Sequence, residues 1–149
     1  MHRSLNLAAA VAAAGLFLSL PVLAENSTPA GPYTIHHNAF RADTLDPDVA
    51  RNYGFQRSKF RGLLNVSVIK EQAGTTGTST PAAVDVDIVN LMGQKSRIPM
   101  REIKDQEAVY YMGEFPIYDQ LTINFEIRVK PQGEGDAQLV KMSQEFYTE

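Results

Sequence analysis

Cysteine and tryptophan are both absent from the 149-residue chain, and histidine occurs three times. The absence of cysteine excludes disulfides, thiolate zinc sites, cysteine catalysis and lipid attachment through a thiol. The chain has 14 basic and 17 acidic residues, a formal net charge of −3. This mild acidity is unlike the basic surface of a nucleic-acid-binding protein, so we expect no nucleic-acid partner. A hydrophobic content of 44% is typical of one ordinary globular domain.

The common catalytic and cofactor-binding motifs are also missing. The sequence contains no G-x-S-x-G, no H-E-x-x-H and no glycine-rich phosphate loop of the correct spacing. Carboxylate pairs such as Asp85 and Asp87 exist, but nothing in the sequence places them in a cleft. We therefore predict a protein that is not an enzyme and that carries no cofactor.

A long apolar run lies at the N-terminus. Residues 5–20 are almost wholly apolar, Pro21 ends the run, and small residues precede a cut after Ala24. This three-part pattern is typical of a secretory signal peptide. An uncleaved membrane anchor would need roughly 20 apolar residues, more than this run supplies. We expect residues 1–24 to be removed, the protein to be periplasmic, and the mature chain to have no membrane span.

Period-two alternation dominates the remainder of the chain. It is clearest over residues 121–130, where apolar and polar side chains alternate without a break, as in a half-buried strand. Residues 46–54 begin with Asp-Pro and end with Gly, which predicts one short helix. Residues 25–32 are polar and rich in proline and glycine, which predicts a flexible leader before a single domain at 33–149.

The spacing of these patterns predicts about seven strands joined by short connections, and short connections favour antiparallel neighbours. We predict an all-β, antiparallel two-sheet sandwich of immunoglobulin-like type with one short helix. An up-and-down β-barrel is the alternative. Residues 97–103 read as one strand, and Pro99 within it indicates an edge position because proline cannot donate a ladder hydrogen bond.

Several stretches of the mature chain resemble a known family. They are residues 33–40, 53–54, 57–59, 62–68, 90–94, 101–103, 110–111, 114–116 and 144–147. Together they resemble a family of small secreted proteins of Gram-negative bacteria, the domain of unknown function DUF4426. The resemblance covers nearly the whole mature chain. It implies an envelope location and supplies no activity, ligand or site residue.

Aromatic and basic side chains alternate in one segment: Tyr53, Phe55, Arg57, Lys59 and Arg61. If this segment is extended, the three basic residues share one face and form a cationic stripe that could bind an anionic partner. Asp85 and Asp87, which share a face of another predicted strand, could instead pair with the stripe. We predict that the five residues form a partner-binding surface.

Histidine and methionine offer a second possibility. Imidazole and thioether ligands suit copper, which makes His36, His37 and Met112 the candidate ligands of a metal site. Adjacent strand residues point to opposite faces, however, so the two histidine rings cannot easily serve one ion. We therefore predict no metal and keep this set as the alternative.

These observations predict a periplasmic, non-enzymatic binding module. Its expected partner is an envelope protein, contacted through protein–protein interaction in the cell envelope, or an anionic envelope component. The alternative is a periplasmic copper-binding protein that uses histidine and methionine ligands.

Overall fold

A computed structural model describes residues 26–119, 121–133 and 136–149. Within these ranges the chain forms two antiparallel sheets and one α-helix. The strands are β1 (Asn26–Ala30), β2 (Tyr33–Arg41), β3 (Arg61–Lys70), β4 (Thr78–Ser79), β5 (Ala82–Val89), β6 (Lys95–Ile98), β7 (Arg101–Asp105), β8 (Ala108–Pro116), β9 (Leu121–Pro131) and β10 (Gln138–Phe146), and the helix is α1 (Pro47–Tyr53). The larger sheet has the order β1-β2-β3-β8-β7, with β4 also paired to β3, and the smaller sheet has the order β10-β9-β5-β6.

The main core lies between the two sheets and follows the predicted alternation. Strand β9 turns Ile123, Phe125 and Ile127 inward, where each is buried. The ring of Phe115 from β8 packs edge-to-face on Phe125 and Phe146, with centroids 5.1 and 5.5 Å apart. Such aromatic contacts add to the stabilisation from apolar burial. Packing of this kind holds the domain together without a disulfide.

Helix α1 begins and ends where the sequence predicts. The carboxylate of Asp46 accepts hydrogen bonds from the backbone N–H groups of Asp48 and Val49, at 2.8 and 3.3 Å. Pro47 occupies the first helical position, and Gly54 ends the helix in the left-handed region, with φ 72°. These are the start and stop devices that a short helix needs.

A second apolar cluster lies on the outer face of the larger sheet, beneath α1. Its buried members are Ala42, Ala50, Phe55, Leu63, Ile103 and Met112. Leu63, Ile103 and Met112 come from β3, β7 and β8, and the others from the helix and its flanking loops. This cluster fixes the loop after α1 against the sheet, and that loop borders the candidate site.

Residues 25–32 were predicted to be a flexible leader, but the described residues of this segment belong to the sheet. Residues 26–30 form β1, which pairs antiparallel with β2, and Gly31-Pro32 form the turn between them. Gly31 has φ 60°, which such a turn requires. Pro29 is tolerated because β1 is an edge strand. The glycine and proline that suggested a flexible segment are therefore residues that suit a tight turn and an edge strand.

The single strand predicted over 97–103 is two strands. β6 ends at Ile98 in the smaller sheet and β7 begins at Arg101 in the larger one, with Pro99 and Met100 crossing between them. Both strands lie at an edge of their sheet, as Pro99 predicts. With β1, β4 and this division, the described residues contain ten strands rather than about seven.

The predicted fold class, an all-β antiparallel two-sheet sandwich with one short α-helix, is confirmed. The alternative, an up-and-down β-barrel, is not the fold of the described residues, because their strands form two sheets with separate edges. The predicted signal peptide, residues 1–24, lies outside the described residues. Over the part of the chain that the structure describes, no helix has the length and apolarity to cross a bilayer.

Candidate functional site

An open cleft of about 580 Å³ lies at one end of the larger sheet, beside the loop that follows α1. We call it the Arg101 cleft and define it by Gly54, Phe60, Arg61, Arg101 and Glu114, which all line it. The loop supplies Gly54 and Phe60, and the other three come from β3, β7 and β8. The cleft therefore joins the predicted basic segment to strands distant in sequence.

Arg101 is held by the end of the helix. Its Nη1 donates a hydrogen bond to the carbonyl of Tyr53 at 3.0 Å, and its guanidinium carbon lies 4.1 Å from the centroid of the Phe55 ring. The last carbonyls of a helix lack intrahelical partners and attract cations, and the ring face adds a cation–π contact. Both contacts orient the guanidinium before any ligand arrives.

Tyr53 and Phe55 therefore take part in the site by holding Arg101, and Phe55 does not form part of the predicted contact surface. Phe55 is buried in the cluster beneath α1, with 6% of its surface exposed. It supports Arg101 from below and cannot touch a partner directly. Sequence reasoning missed Arg101, because the residue lies in another strand and no local pattern links it to the helix.

Arg61 faces a carboxylate across the sheet. Its Nη1 lies 2.7 Å from Glu114 Oε2, and both side chains are partly exposed. An ion pair of this exposure contributes about 0–1 kcal/mol to stability. Among the described residues that line the cleft, the two guanidinium groups of Arg61 and Arg101 outnumber the one carboxylate of Glu114, so the cleft carries a net positive charge.

The predicted cationic stripe does not form. Residues 55–58 are not in a strand and β3 begins at Arg61, so Arg57, Lys59 and Arg61 do not alternate along one face. Arg57 instead donates hydrogen bonds to the backbone carbonyls of Leu45 and Asp43, at 2.8 Å each. It therefore ties the loops on either side of α1 together.

Phe60 lines the Arg101 cleft, and Lys59 lies beside its ring. The ammonium of Lys59 lies 5.2 Å from the centroid of the Phe60 ring, within the range of a cation–π contact. Phe60 is 57% exposed, which is high for a large aromatic side chain. The predicted partners of the stripe are elsewhere: Asp85 and Asp87 pair with Arg97 in the smaller sheet, at 3.1 and 2.8 Å.

The alternative metal ligands do not converge. His37 faces the core, where it is buried, whereas His36 and Met112 lie on the opposite face of the larger sheet, separated by β3. Thr28 Oγ1 lies 3.2 Å from His37 Nε2. Burial, and secondarily the neighbouring His36, lower the pKa of His37. The described ranges contain no group of three or more His, Cys, Asp or Glu side chains that could hold a metal ion.

Comparisons with known proteins agree on one family. The family model for the domain of unknown function DUF4426 matches residues 27–149. The chain is similar to a DUF4426 family protein from Pseudomonas aeruginosa PAO1 of known crystal structure, with 30% identity and a TM-score of 0.69, over 83% of this chain and 94% of that one. No curated protein matches. These matches confirm the resemblance, and the chain belongs to the DUF4426 family.

Proposed function

We propose that this protein is a periplasmic, non-enzymatic binding module, and that the Arg101 cleft receives a carboxylate of an envelope protein. Export is supported by the signal-peptide pattern of residues 1–24. Binding through the cleft is supported by one observation above all: the guanidinium of Arg101 is oriented, has no ion-pair partner among the described residues, and lies in the same cleft as an exposed aromatic ring.

The hydrogen bonding of Arg101 supports a carboxylate as the ligand. Tyr53 accepts from Nη1, and within the described residues Nε and Nη2 have no such acceptor. A guanidinium has five donors in a planar fork that suits a carboxylate. Because helix and ring already hold this side chain, little conformational entropy remains to be lost on binding. A carboxylate at this position would also satisfy the net positive charge of the cleft.

Phe60 supports a protein as the partner. Exposed aromatic side chains are favoured as anchors at protein interfaces, where a few of them carry much of the binding energy. Phe60 borders the same cleft as Arg101, so one ligand segment can place an apolar group on the ring and a carboxylate on the guanidinium. A small inorganic anion would use only the second of these contacts.

The cleft gives no support for catalysis. Glu114 is its carboxylate and is paired with Arg61 at 2.7 Å, so it acts as a fixed counter-ion. General acid–base chemistry needs a group that exchanges protons near the working pH. Among the described residues that line the cleft, the basic side chains are two guanidinium groups, and none is a histidine.

A site-specific photo-crosslink tests the proposal. We would place benzoylphenylalanine at position 60 in the exported protein, irradiate living cells, and compare adducts with those from position 91. Leu91 is fully exposed and lies in the turn between β5 and β6, outside the residues that line the cleft, so it is a matched control. We expect a discrete protein adduct from position 60, in the periplasmic fraction, on a chain whose N-terminus follows Ala24.

Arg101→Lys distinguishes specific contact from proximity. Lysine keeps the charge but lacks the planar fork, so we expect the adduct from position 60 to fall by about tenfold, the equivalent of roughly 1.4 kcal/mol. Arg128→Lys, at an exposed position of β9, should leave the adduct unchanged. Equal adducts from positions 60 and 91, or an adduct that ignores Arg101→Lys, would refute the cleft as a binding site.

A further inference from the structure

The two sheets expose edges of very different character. β1 has five residues and contains Pro29, β6 has four residues with Lys95 and Arg97, and four of the five residues of β7 are charged. Short length, proline and charge are the usual devices that prevent edge-to-edge pairing. β10 has nine residues and is paired in the described structure with β9 alone. It is therefore the long edge that lacks most of these devices.

The outward face of β10 has a symmetric pattern. Its exposed side chains are Leu139, Lys141, Ser143, Glu145 and, one residue past the strand, Tyr147. In both directions from Ser143 the next exposed side chain is charged and the one after it is apolar, and the two charges are opposite. Leu139 and Tyr147 are 48% and 52% exposed, so two large side chains, each about half exposed, flank the charged pair.

We propose that two copies of this protein pair antiparallel through β10, with the twofold axis at Ser143. In an isologous interface each residue meets its symmetry-related partner on the second copy. This axis places Lys141 opposite Glu145 and Leu139 opposite Tyr147, each pair occurring twice. Directly opposite residues of antiparallel strands have their Cβ atoms about 4.5–5.5 Å apart, so both kinds of pair come into contact.

The register is selective. Because side chains alternate between faces, the axis must pass through a residue and not between two. An axis at Lys141 or Glu145 would place like charges directly opposite each other, which is destabilising. An axis at Met142 would set Leu139 opposite Glu145, and one at Gln144 would set Lys141 opposite Tyr147. Ser143 is the centre that matches charge with charge and apolar with apolar.

The end of the strand is held in place for this pairing. Arg41 Nη1 donates to the carbonyl of Tyr147 at 3.0 Å, and the backbone N–H of Thr148 donates to Asp119 Oδ1 at 3.0 Å. These contacts fix the backbone around Tyr147 just beyond β10. Pairing would join the smaller sheets of two copies into one continuous sheet.

Charge reversal tests the register. We would measure the dimer dissociation constant of the purified protein by sedimentation equilibrium. Lys141→Glu and Glu145→Lys each place like charges opposite, and we expect each to raise the constant by about tenfold or more. The double variant Lys141→Glu/Glu145→Lys restores opposite charges and should return the constant to within about threefold of the parent value. Lys130→Glu, at an exposed position of β9, is the control.

A cysteine crosslink gives an independent readout, because the natural chain has no cysteine. Ser143→Cys would bring the two thiols together across the axis, at the Cα separation that a disulfide needs. Leu139→Cys would leave the thiols about 26 Å apart along the strand, at roughly 3.3 Å per residue. We expect rapid oxidation of the first variant to a dimer and none of the second. A protein that stays monomeric up to millimolar concentration, or a dimer insensitive to charge reversal, would overturn the proposal.

Discussion

Gly62 offers a sharp test of the packing argument. It lies in β3 opposite Phe115 of β8, and a Cβ added at Gly62 would lie closer than 3.0 Å to two carbons of the Phe115 ring. The ring cannot simply turn away, because it packs edge-to-face on both Phe125 and Phe146. Gly62→Ala therefore forces a shift of roughly 1 Å in the ring or the strand to regain an ordinary carbon–carbon separation.

The expected cost follows from two opposing effects. Overpacking of a core costs about 1–3 kcal/mol, and a ring held on two sides places Gly62→Ala near the top of that range. Replacing glycine in a strand returns about 0.5–1 kcal/mol. The free energy of unfolding should therefore fall by about 2 kcal/mol, which corresponds to a decrease of about 8 °C in Tm for a domain of this size.

A double-mutant cycle with Phe115→Leu identifies the cause. Phe115→Leu alone should cost roughly 1–2 kcal/mol, within the usual range for a core substitution. Because it removes the ring that alanine would strike, adding Gly62→Ala should cost about 0.5 kcal/mol or less. Urea denaturation followed by circular dichroism suits this tryptophan-free chain. Additive costs, or a Gly62→Ala variant as stable as the parent, would refute the reasoning.

Two further predictions concern single side chains. The pKa of His37 is lowered by burial, so below the unfolded value of 6.5 the unfolded chain binds a proton that the folded chain resists. As the pH is lowered below this value, the free energy of unfolding should decrease by up to about 1.4 kcal/mol per pH unit, until the folded state also takes up its proton. His37→Gln should remove this part of the slope in urea titrations between pH 7.5 and 5; identical slopes would contradict it. Asp46→Ala should lower stability by about 1 kcal/mol, because the N–H groups of Asp48 and Val49 lose their acceptor. Asp46→Asn keeps an acceptor, so an equal loss of Tm in both variants would argue against the cap.

Local patterns predicted the elements that are decided locally. The alternation of residues 121–130 predicted the buried face of β9, and Asp46 with Gly54 predicted both ends of α1. In each case the signal and the structural cause lie within a few residues of each other. The sandwich class followed from counting such elements and their short connections.

Such local patterns did not predict the pairings between residues that are distant in sequence. The polar composition of residues 26–30 describes an edge strand as well as a flexible segment, and only their pairing with β2 distinguishes the two. Alternation also continues through Pro99 while the chain changes sheets, because both sheets impose the same period. The local alternation therefore predicted β6 and β7 as one strand.

The candidate site was predicted in part for the same reason. The sequence directed attention to the segment from Tyr53 to Arg61, and this segment does border the Arg101 cleft. The assumption that it is extended was wrong, because the helix ends at Tyr53 and Arg57 is engaged by loop carbonyls. Arg101 reaches the cleft through a sheet pairing that no spacing in the sequence records.

The position of β9 at the centre of the smaller sheet sets the order in which the molecule can assemble. β9 pairs with β5, far earlier in the chain, and with β10, the last strand. Contacts between residues distant in sequence slow folding, since a large loop must close before they form. When the chain emerges from its N-terminus, the larger sheet can begin to form from β1, β2 and β3, whereas the smaller sheet cannot be completed until β9 and β10 are available. Until then the inner face of the larger sheet stays uncovered, and this is the period in which the emerging chain is most exposed to aggregation.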